Sequence, residues 1–460
     1  MREWDPALLD ASLSQIDPLV AAALKGEATR QRDAISLLAP SMLTPRAVRQ
    51  ALSSLFNDLD AEGYAGRWQD DVDLHELNQF CEVYARRGPR KYNPSGPFAE
   101  YVELLAAGRL AHLFSAGTAL APEELHVNVQ PLSGSSANIA ILRALLEPGD
   151  TLLSLSVASG GHLSHGARFH YSGSTYRVFH YEFSSRGVLD MEEFETRIRE
   201  VKPKIVVVGG SSYPRALDWC GIRGLFDSIA NPPLLFADVA HFAGLIATGY
   251  YPNPVPFADV VSMVGYKTLG GPRIGVIITR QLEIARRIDR ALFPGLQSAP
   301  VMGSIAALAV AARFAETDAF RSLIKSALQN AKVLGESLRR CDLELEFGGT
   351  DTHMLLLRLR SPTQPIVSLF ESAGILTNSN MLPGDTKPSA ALGIRMGTIG
   401  ATQRGLSKQA ANELGQLIAD LIHGASDATG KAVNDYWREP VQRFARQHLR
   451  SPEIFLHGYC

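Results

Sequence analysis

The sequence predicts an α/β fold in which a large domain, with a mostly parallel central sheet sandwiched by helices, precedes a smaller C-terminal α/β domain. Three observations predict it. From about residue 125 to 280, short apolar, β-branched runs alternate with amphipathic segments, as in sheets whose strands are buried on both faces and joined by helices. After Pro300 an Ala-rich stretch, Ile305 to Phe314, reads as a buried helix and opens a second block of alternation. The chain has 460 residues, 46% hydrophobic and 20% charged, which is enough apolar material for two domains.

Residues 1–50 read as a helical arm. Leu8, Leu9, Leu13, Ile16, Leu19 and Leu24 recur at roughly helical spacing, and Pro40 and Pro45 punctuate the end. Residues 69–98 stand apart, being polar and broken by Gly88, Pro89, Pro94, Gly96 and Pro97. Such a stretch in a compact enzyme is either a functional loop or lid, or a mobile surface insertion. The sheet is expected to be built from Thr151–Ser156, Lys204–Val208, Leu234–Ala237, Val260–Val264 and Ile274–Thr279. Beyond Pro300 the pattern predicts a helix over about 318–340 and a strand over His353–Leu359. The economical division is an arm over 1–50, a large domain over 51–305 carrying the insertion, and a small domain over 306–460.

A formal net charge of −2 removes the bulk electrostatic argument for nucleic acid or an anionic membrane as partner. The longest apolar stretch, near Ile305–Ala312, is too short to cross a bilayer, and Met1-Arg2-Glu3-Trp4-Asp5 lacks the pattern of a secretory signal. Cys81, Cys220, Cys341 and Cys460 are scattered, without a CxxC or a His/Cys cluster. Neither a disulfide framework nor a metal site is expected, and the protein reads as cytoplasmic with reduced thiols.

Five strings carry chemistry. In Tyr266-Lys267-Thr268-Leu269-Gly270-Gly271-Pro272-Arg273 a lysine follows an apolar strand and precedes a Gly-rich turn. An amine there reaches into a cleft, as enzymes of pyridoxal 5′-phosphate (PLP) require of the lysine that bonds the cofactor; alone, it would read as a surface lysine. Phe236-Ala237-Asp238-Val239-Ala240-His241 ends another strand. Asp238 can pair with a protonated pyridine nitrogen and His241 can face the cofactor's phenolic oxygen, or the two are a helix cap and a core histidine. Leu132-Ser133-Gly134-Ser135-Ser136-Ala137-Asn138 opens a helix after the strand-like Val127–Gln130; hydroxyls and free N–H groups at a helix start seat a phosphate, although such a turn also merely caps. Gly160-Gly161-His162-Leu163-Ser164-His165-Gly166 sets the planar His162 after two glycines, either to stack on a pyridine ring or to brace a turn. Leu392-Gly393-Ile394-Arg395-Met396-Gly397-Thr398 offers a guanidinium fork suited to an amino-acid carboxylate, or a surface ion pair.

In this order and at these spacings the strings resemble those of serine hydroxymethyltransferases, which are fold-type I PLP enzymes. Glu62-Gly63-Tyr64-Ala65-Gly66-Arg67 is similar to the family's Glu-Gly-Tyr-Pro-Gly segment, and Phe293-Pro294-Gly295-Leu296-Gln297 to the loop that meets the partner subunit's cofactor phosphate. The resemblance implies that PLP is the cofactor, bonded by Lys267, with Asp238 on the ring nitrogen and His162 stacked on the ring. It implies phosphate contacts from Ser133, Gly134 and Ser135, with Gly295 meeting the partner's phosphate, and an oxygen side lined by Ser212 and His241. Arg395 would bind the substrate carboxylate, Tyr266 would stand beside the lysine, and Glu62 would be the acid–base group reaching in from a neighbouring subunit. A homodimer or larger assembly with shared sites follows.

The departures gather on one side. Trp68, Gln69, Asp70 and Asp71 stand where the family has a tyrosine pair and two glycines, Asp60 and Tyr266 replace a tyrosine and a histidine, and Leu132 replaces a histidine. Val157 and Pro383-Gly384-Asp385-Thr386 also differ from the family's folate contacts. The cofactor half is intact and the folate half is rewritten. The reading is therefore a folate-independent relative in specialised metabolism, acting at Cα or Cβ of an amino acid. Its reaction is either aldol-type (a transaldolase) or β-elimination or decarboxylative deamination of an S-substituted cysteine, as in lincosamide-pathway relatives. Serine hydroxymethyltransferase itself is the alternative, and a non-catalytic PLP-binding protein the remote one.

Overall fold

The computed structural model describes residues 6–66, 73, 76–93, 95–184, 189–425 and 431–451; Arg67, Trp68, Gln69, Asp70, Asp71, Pro94 and Cys460 lie outside them. In chain order the strands are β1 (Ile35–Ser36), β2 (His126–Asn128), β3 (Thr151–Leu155), β4 (Arg177–Tyr181), β5 (Ile205–Val208), β6 (Leu234–Asp238), β7 (Val260–Val264), β8 (Gly275–Thr279), β9 (Glu344–Leu345), β10 (Met354–Arg358), β11 (Ile375–Leu376), β12 (Asn378–Asn380) and β13 (Gly393–Gly397).

The large sheet has seven strands in the order β2-β8-β7-β6-β5-β3-β4. From β7 to β4 every pairing is parallel. β5 buries all four of its residues, as β-branched strands covered on both faces do. Its side chains alternate between two cores. Val206 and Val208 join Phe194, Trp219 and Phe226 on one face; Ile205 and Val207 join Ile141, Leu142 and Leu145 on the other. Full burial of each such side chain stabilises the fold by about 1.5–3 kcal/mol.

β8 breaks the parallel pattern. It pairs antiparallel with β7 and with β2, because the connection over 265–274 is shorter than the dozen or more residues a parallel crossover needs. That short connection carries Lys267. The antiparallel step returns β2 to the direction of β7, so β2, β3, β5, β6 and β7 all end on one edge. In open α/β sheets that edge is where ligands bind.

The second sheet, β12-β13-β10-β9, is antiparallel. The arm supplies helix Pro18–Asp33 and then β1, which pairs in parallel with β11. Ile35 on that strand and Leu37 just past it join the core around β10 and β13. Helix Met302–Ala315 packs into the core of the large sheet, and helix Asp318–Arg340 joins the two bodies: Phe320 and Ile324 lie in one core, Leu334 and Leu338 in the other. Within 69–98 the expected irregular segment holds a helix, Leu77–Arg87, with Phe80 and Val83 buried and the Phe80 ring 5.4 Å from Tyr101. Leu77, Phe80, Val83 and Tyr84 form one apolar face at helical spacing, which the charged residues around them obscure in the sequence. Among the described residues no helix is long and apolar enough to cross a membrane, and no group of His, Cys, Asp or Glu is arranged to hold a metal ion.

Candidate active site

Asp238 ends β6 at the carboxyl edge of the sheet and is buried. Backbone room for it comes from Gly209, just past β5, at φ 139°; a Cβ there would stand 2.0 Å from the Asp238 carbonyl oxygen. Asp238 Oδ2 accepts a hydrogen bond from Asn138 Nδ2 at 2.8 Å and meets His165 Nε2 at 2.7 Å, while Oδ1 accepts from the Ala240 N–H at 3.0 Å. The His162 N–H donates to His165 Nδ1 at 3.3 Å, which leaves Nε2 as the protonated nitrogen facing the carboxylate. Burial opposes ionisation of Asp238, but the hydrogen bond from His165, with that from the Ala240 N–H, holds its carboxyl well below the usual range. Asn138 is fixed in turn by Ser262 Oγ, donating to its Oδ1 at 2.7 Å, and by Ser164 Oγ at 2.8 Å.

Lys267 lies in the same pocket, 7% exposed. Burial lowers its amine to about 8, against the attraction of Asp238 and with the help of Arg395. His162 accepts from Ser164 at Nδ1, and burial lowers it to about 4, so that it is neutral at pH 7. His241 is held well below its usual range by burial and then by Lys267 and Arg395. Its Nδ1 has no partner among the described residues, and its ring lies 6.4 Å from that of His353, tilted by 21°. Tyr266 stands under the Arg273 guanidinium, 4.5 Å from Cζ to ring centroid.

Arg395 projects from β13. Its Nε donates to Asn378 Oδ1 at 3.1 Å and its Nη1 to the Ser211 carbonyl at 2.6 Å, so it reaches the exit of β5. Burial lowers it to about 10, and among the described residues no carboxylate pairs with it. Ser212 Oγ accepts from Asn380 Nδ2 at 3.0 Å. Ser133 caps helix Gly134–Leu145 by accepting from the Ser136 N–H. The N–H groups of Gly134 and Ser135 fall in that helix's first turn, where no intrahelical acceptor exists.

Glu62 and Gly295 belong to a second group. Ser298 Oγ donates to Glu62 Oε1, and Gln297 Nε2 donates to the Gln130 carbonyl at 2.9 Å. Among the described residues no hydrogen bond joins Glu62 to Lys267, Asp238 or Arg395. A cavity of about 1130 Å³ is lined by Tyr64, Glu103, Arg109, Asn128 and Asp289 among others and does not include Lys267.

The serine hydroxymethyltransferase family model matches residues 73–418. The chain belongs to the serine hydroxymethyltransferase family. A serine hydroxymethyltransferase of Nocardia farcinica is 40% identical over 427 residues, covering 91% of each chain. One of Myxococcus xanthus is 37% identical over 421 residues, covering 90% of this chain and 93% of the relative. A serine hydroxymethyltransferase 2 of Cupriavidus pinatubonensis is 39% identical over 430 residues, covering 92% and 93%. The family's members are PLP-dependent enzymes of the transferase class, and this chain is one of them. Its residues fit the cofactor: a buried amine, a carboxylate held ionised with lone-pair capacity left on Oδ1, and two free N–H groups at a helix start lie along one sheet edge.

Three residues of this network went unassigned in the sequence. Asn138 and His165 stand inside the quoted strings, and their spacing to the assigned residues is the signal for them. His353 opens a predicted strand, and nothing in the sequence separates it from a core histidine.

Proposed function

We propose that this member of the serine hydroxymethyltransferase family acts at Cα or Cβ of a specialised amino acid and does so without folate. Lys267 would bond the cofactor, Asp238 would face its ring nitrogen, and His162 would cover the ring. Ser133, Gly134 and Ser135 would hold its phosphate, with Gly295 of a second copy. Bound there, the cofactor supplies an electron sink for a bond at the substrate's Cα. Ser212 and His241 would line its oxygen side, and Tyr266, pinned under Arg273, would stand next to the lysine.

Arg395 would orient the substrate. The guanidinium is partly buried with no carboxylate beside it, and Nη2 has no partner among the described residues, so it is left to take a ligand's carboxylate. Glu62 of a second copy would carry the proton to or from the reacting carbon, which makes the working unit a homodimer or larger.

The observation that carries the folate-independent reading is the seat of Asp60. Asn93 Nδ2 donates to its carboxylate at 3.3 Å and Ser95 Oγ to its carbonyl at 2.9 Å. Asp60, which stands where the family carries a tyrosine, is thus held by the C-terminal end of the insertion. Leu132, beside the phosphate seat, is exposed and offers no hydrogen bond in place of the family's histidine. Each lost buried polar or aromatic contact weakens a ligand by about 1–3 kcal/mol. Two kinds of reaction fall within this reading: aldol cleavage or transfer, and elimination or decarboxylative deamination of an S-substituted cysteine, the deamination requiring dioxygen as two-electron oxidant. The second reading, transfer of serine's hydroxymethyl group to tetrahydrofolate, rests on the names of the relatives. Incubating the holoenzyme with β-hydroxy amino acids and S-alkyl cysteines, with and without tetrahydrofolate, decides between them. The expected result is aldehyde, thiol or ammonia release that tetrahydrofolate does not alter; turnover of serine that requires it overturns the proposal.

A further inference from the structure

The backbone on either side of Glu62 is gripped by the segment that returns from the insertion. Lys91 Nζ donates to the Gly63 carbonyl at 3.0 Å and to the Ala61 carbonyl at 3.3 Å. The Asn93 N–H donates to the carbonyl between them, that of Glu62, at 3.1 Å. Gly63 sits at φ +86° with room for no side chain, since a Cβ would stand 2.5 Å from Tyr92 N. The Lys91 side chain is wholly buried and its third proton goes to Glu103. Glu103 Oε1 also accepts from Gln130 Nε2 at 2.8 Å, and Gln130 Nε2 donates in turn to Gly63 at 2.9 Å. A buried ammonium with all three protons satisfied fixes the groups that satisfy it.

We propose that Lys91 is a positioning residue: its ammonium, neutralised by Glu103, sets the backbone of residues 61–63 and thereby the direction of the Glu62 carboxylate. The inference rests on the acid–base role proposed above for Glu62. It gives the insertion a consequence for catalysis, because the inserted chain rejoins the large domain at the residues that hold Glu62.

Lys91→Met leaves Glu103 buried and unpaired and is prone to misfold, so the informative variant is Lys91→Met/Glu103→Gln in the holoenzyme. Its Asn93 amide, probed by hydrogen–deuterium exchange of the peptide that contains it, should exchange at least about tenfold faster than in the wild type. With glycine as the probe, solvent exchange of its α-proton should slow at least about tenfold, with PLP content and glycine KM within about twofold. Lys91→Arg should retain more of the rate than the double variant. In a Glu62→Gln background the double variant should cause no further loss. Unchanged amide protection, or a loss that adds in full to that of Glu62→Gln, overturns the role of Lys91. Glu62→Gln with a wild-type rate overturns the role of Glu62 instead. If the wild type exchanges no glycine proton, the functional reading fails and amide exchange alone decides on Lys91.

Discussion

His165 offers the sharpest test of the site's electrostatics. It is one of two donors to a single buried oxygen, Asp238 Oδ2, at 2.7 Å, with Asn138 at 2.8 Å on the other side. Replacing His165 with Phe keeps the bulk and removes the donor. A buried charged group that loses one hydrogen bond loses about 1.5–3 kcal/mol, a factor of roughly 10 to 150 in an equilibrium constant. Burial then dominates at Asp238 and its carboxyl rises, so the charge available to a pyridinium partner falls. PLP affinity, titrated by absorbance on the apoenzyme, should weaken by that factor. His165→Gln, which can present an N–H at the Nε2 position, should recover much of it. If His165→Phe binds PLP and turns over substrate as the wild type does, the argument that this pair holds Asp238 ionised is refuted.

Three further outcomes follow from the same geometry. Lys267→Ala should abolish covalent attachment of PLP, so borohydride treatment followed by mass spectrometry should find no fixed cofactor. In the apoenzyme the amine at about 8 must be neutral to react, so the rate of attachment should rise about tenfold per pH unit below pH 8 and level off above it. A rate still climbing at pH 10 would mean that burial does not depress this lysine. Arg395→Ala should raise KM for the amino-acid substrate by at least about thirtyfold, from the 2–5 kcal/mol of a buried charge pair, with PLP content unchanged.

The sheet was legible because its physics is local. Fully apolar runs such as Ile205–Val208 have few other homes, and each of the five predicted strands of the large sheet has its counterpart among β3, β5, β6, β7 and β8. Strand direction was less legible: β8 runs antiparallel because of the length of the turn at 265–274, a constraint that composition does not display. The helix Leu77–Arg87 was hidden for another reason. Its apolar face is two buried residues wide, and the flanking prolines and glycines weigh more in a reading by composition.

Within the site, residues at strand ends could be read from the sequence, since position after an apolar run is a linear property. Asp238, Lys267 and His162 come together as their strings imply, with Arg395 arriving from β13. The partners that fix them depend on pairings more than 70 residues apart, such as His165 with Asp238 or Arg395 with Ser211, and these exist only once the sheet has formed. Glu62 shows the same limit from the other side, because its hydrogen-bond partners, Asn93 and Ser298, lie within the insertion and beyond β8.

We propose that the cofactor half of this family's site has been kept while its folate half has been given up. Calorimetric titration of the holoenzyme, saturated with glycine, against tetrahydrofolate tests it most directly. The expected result is no tight binding and no acceleration of glycine α-proton exchange when tetrahydrofolate is added. Micromolar binding, together with methylene-tetrahydrofolate formed from serine, would contradict it.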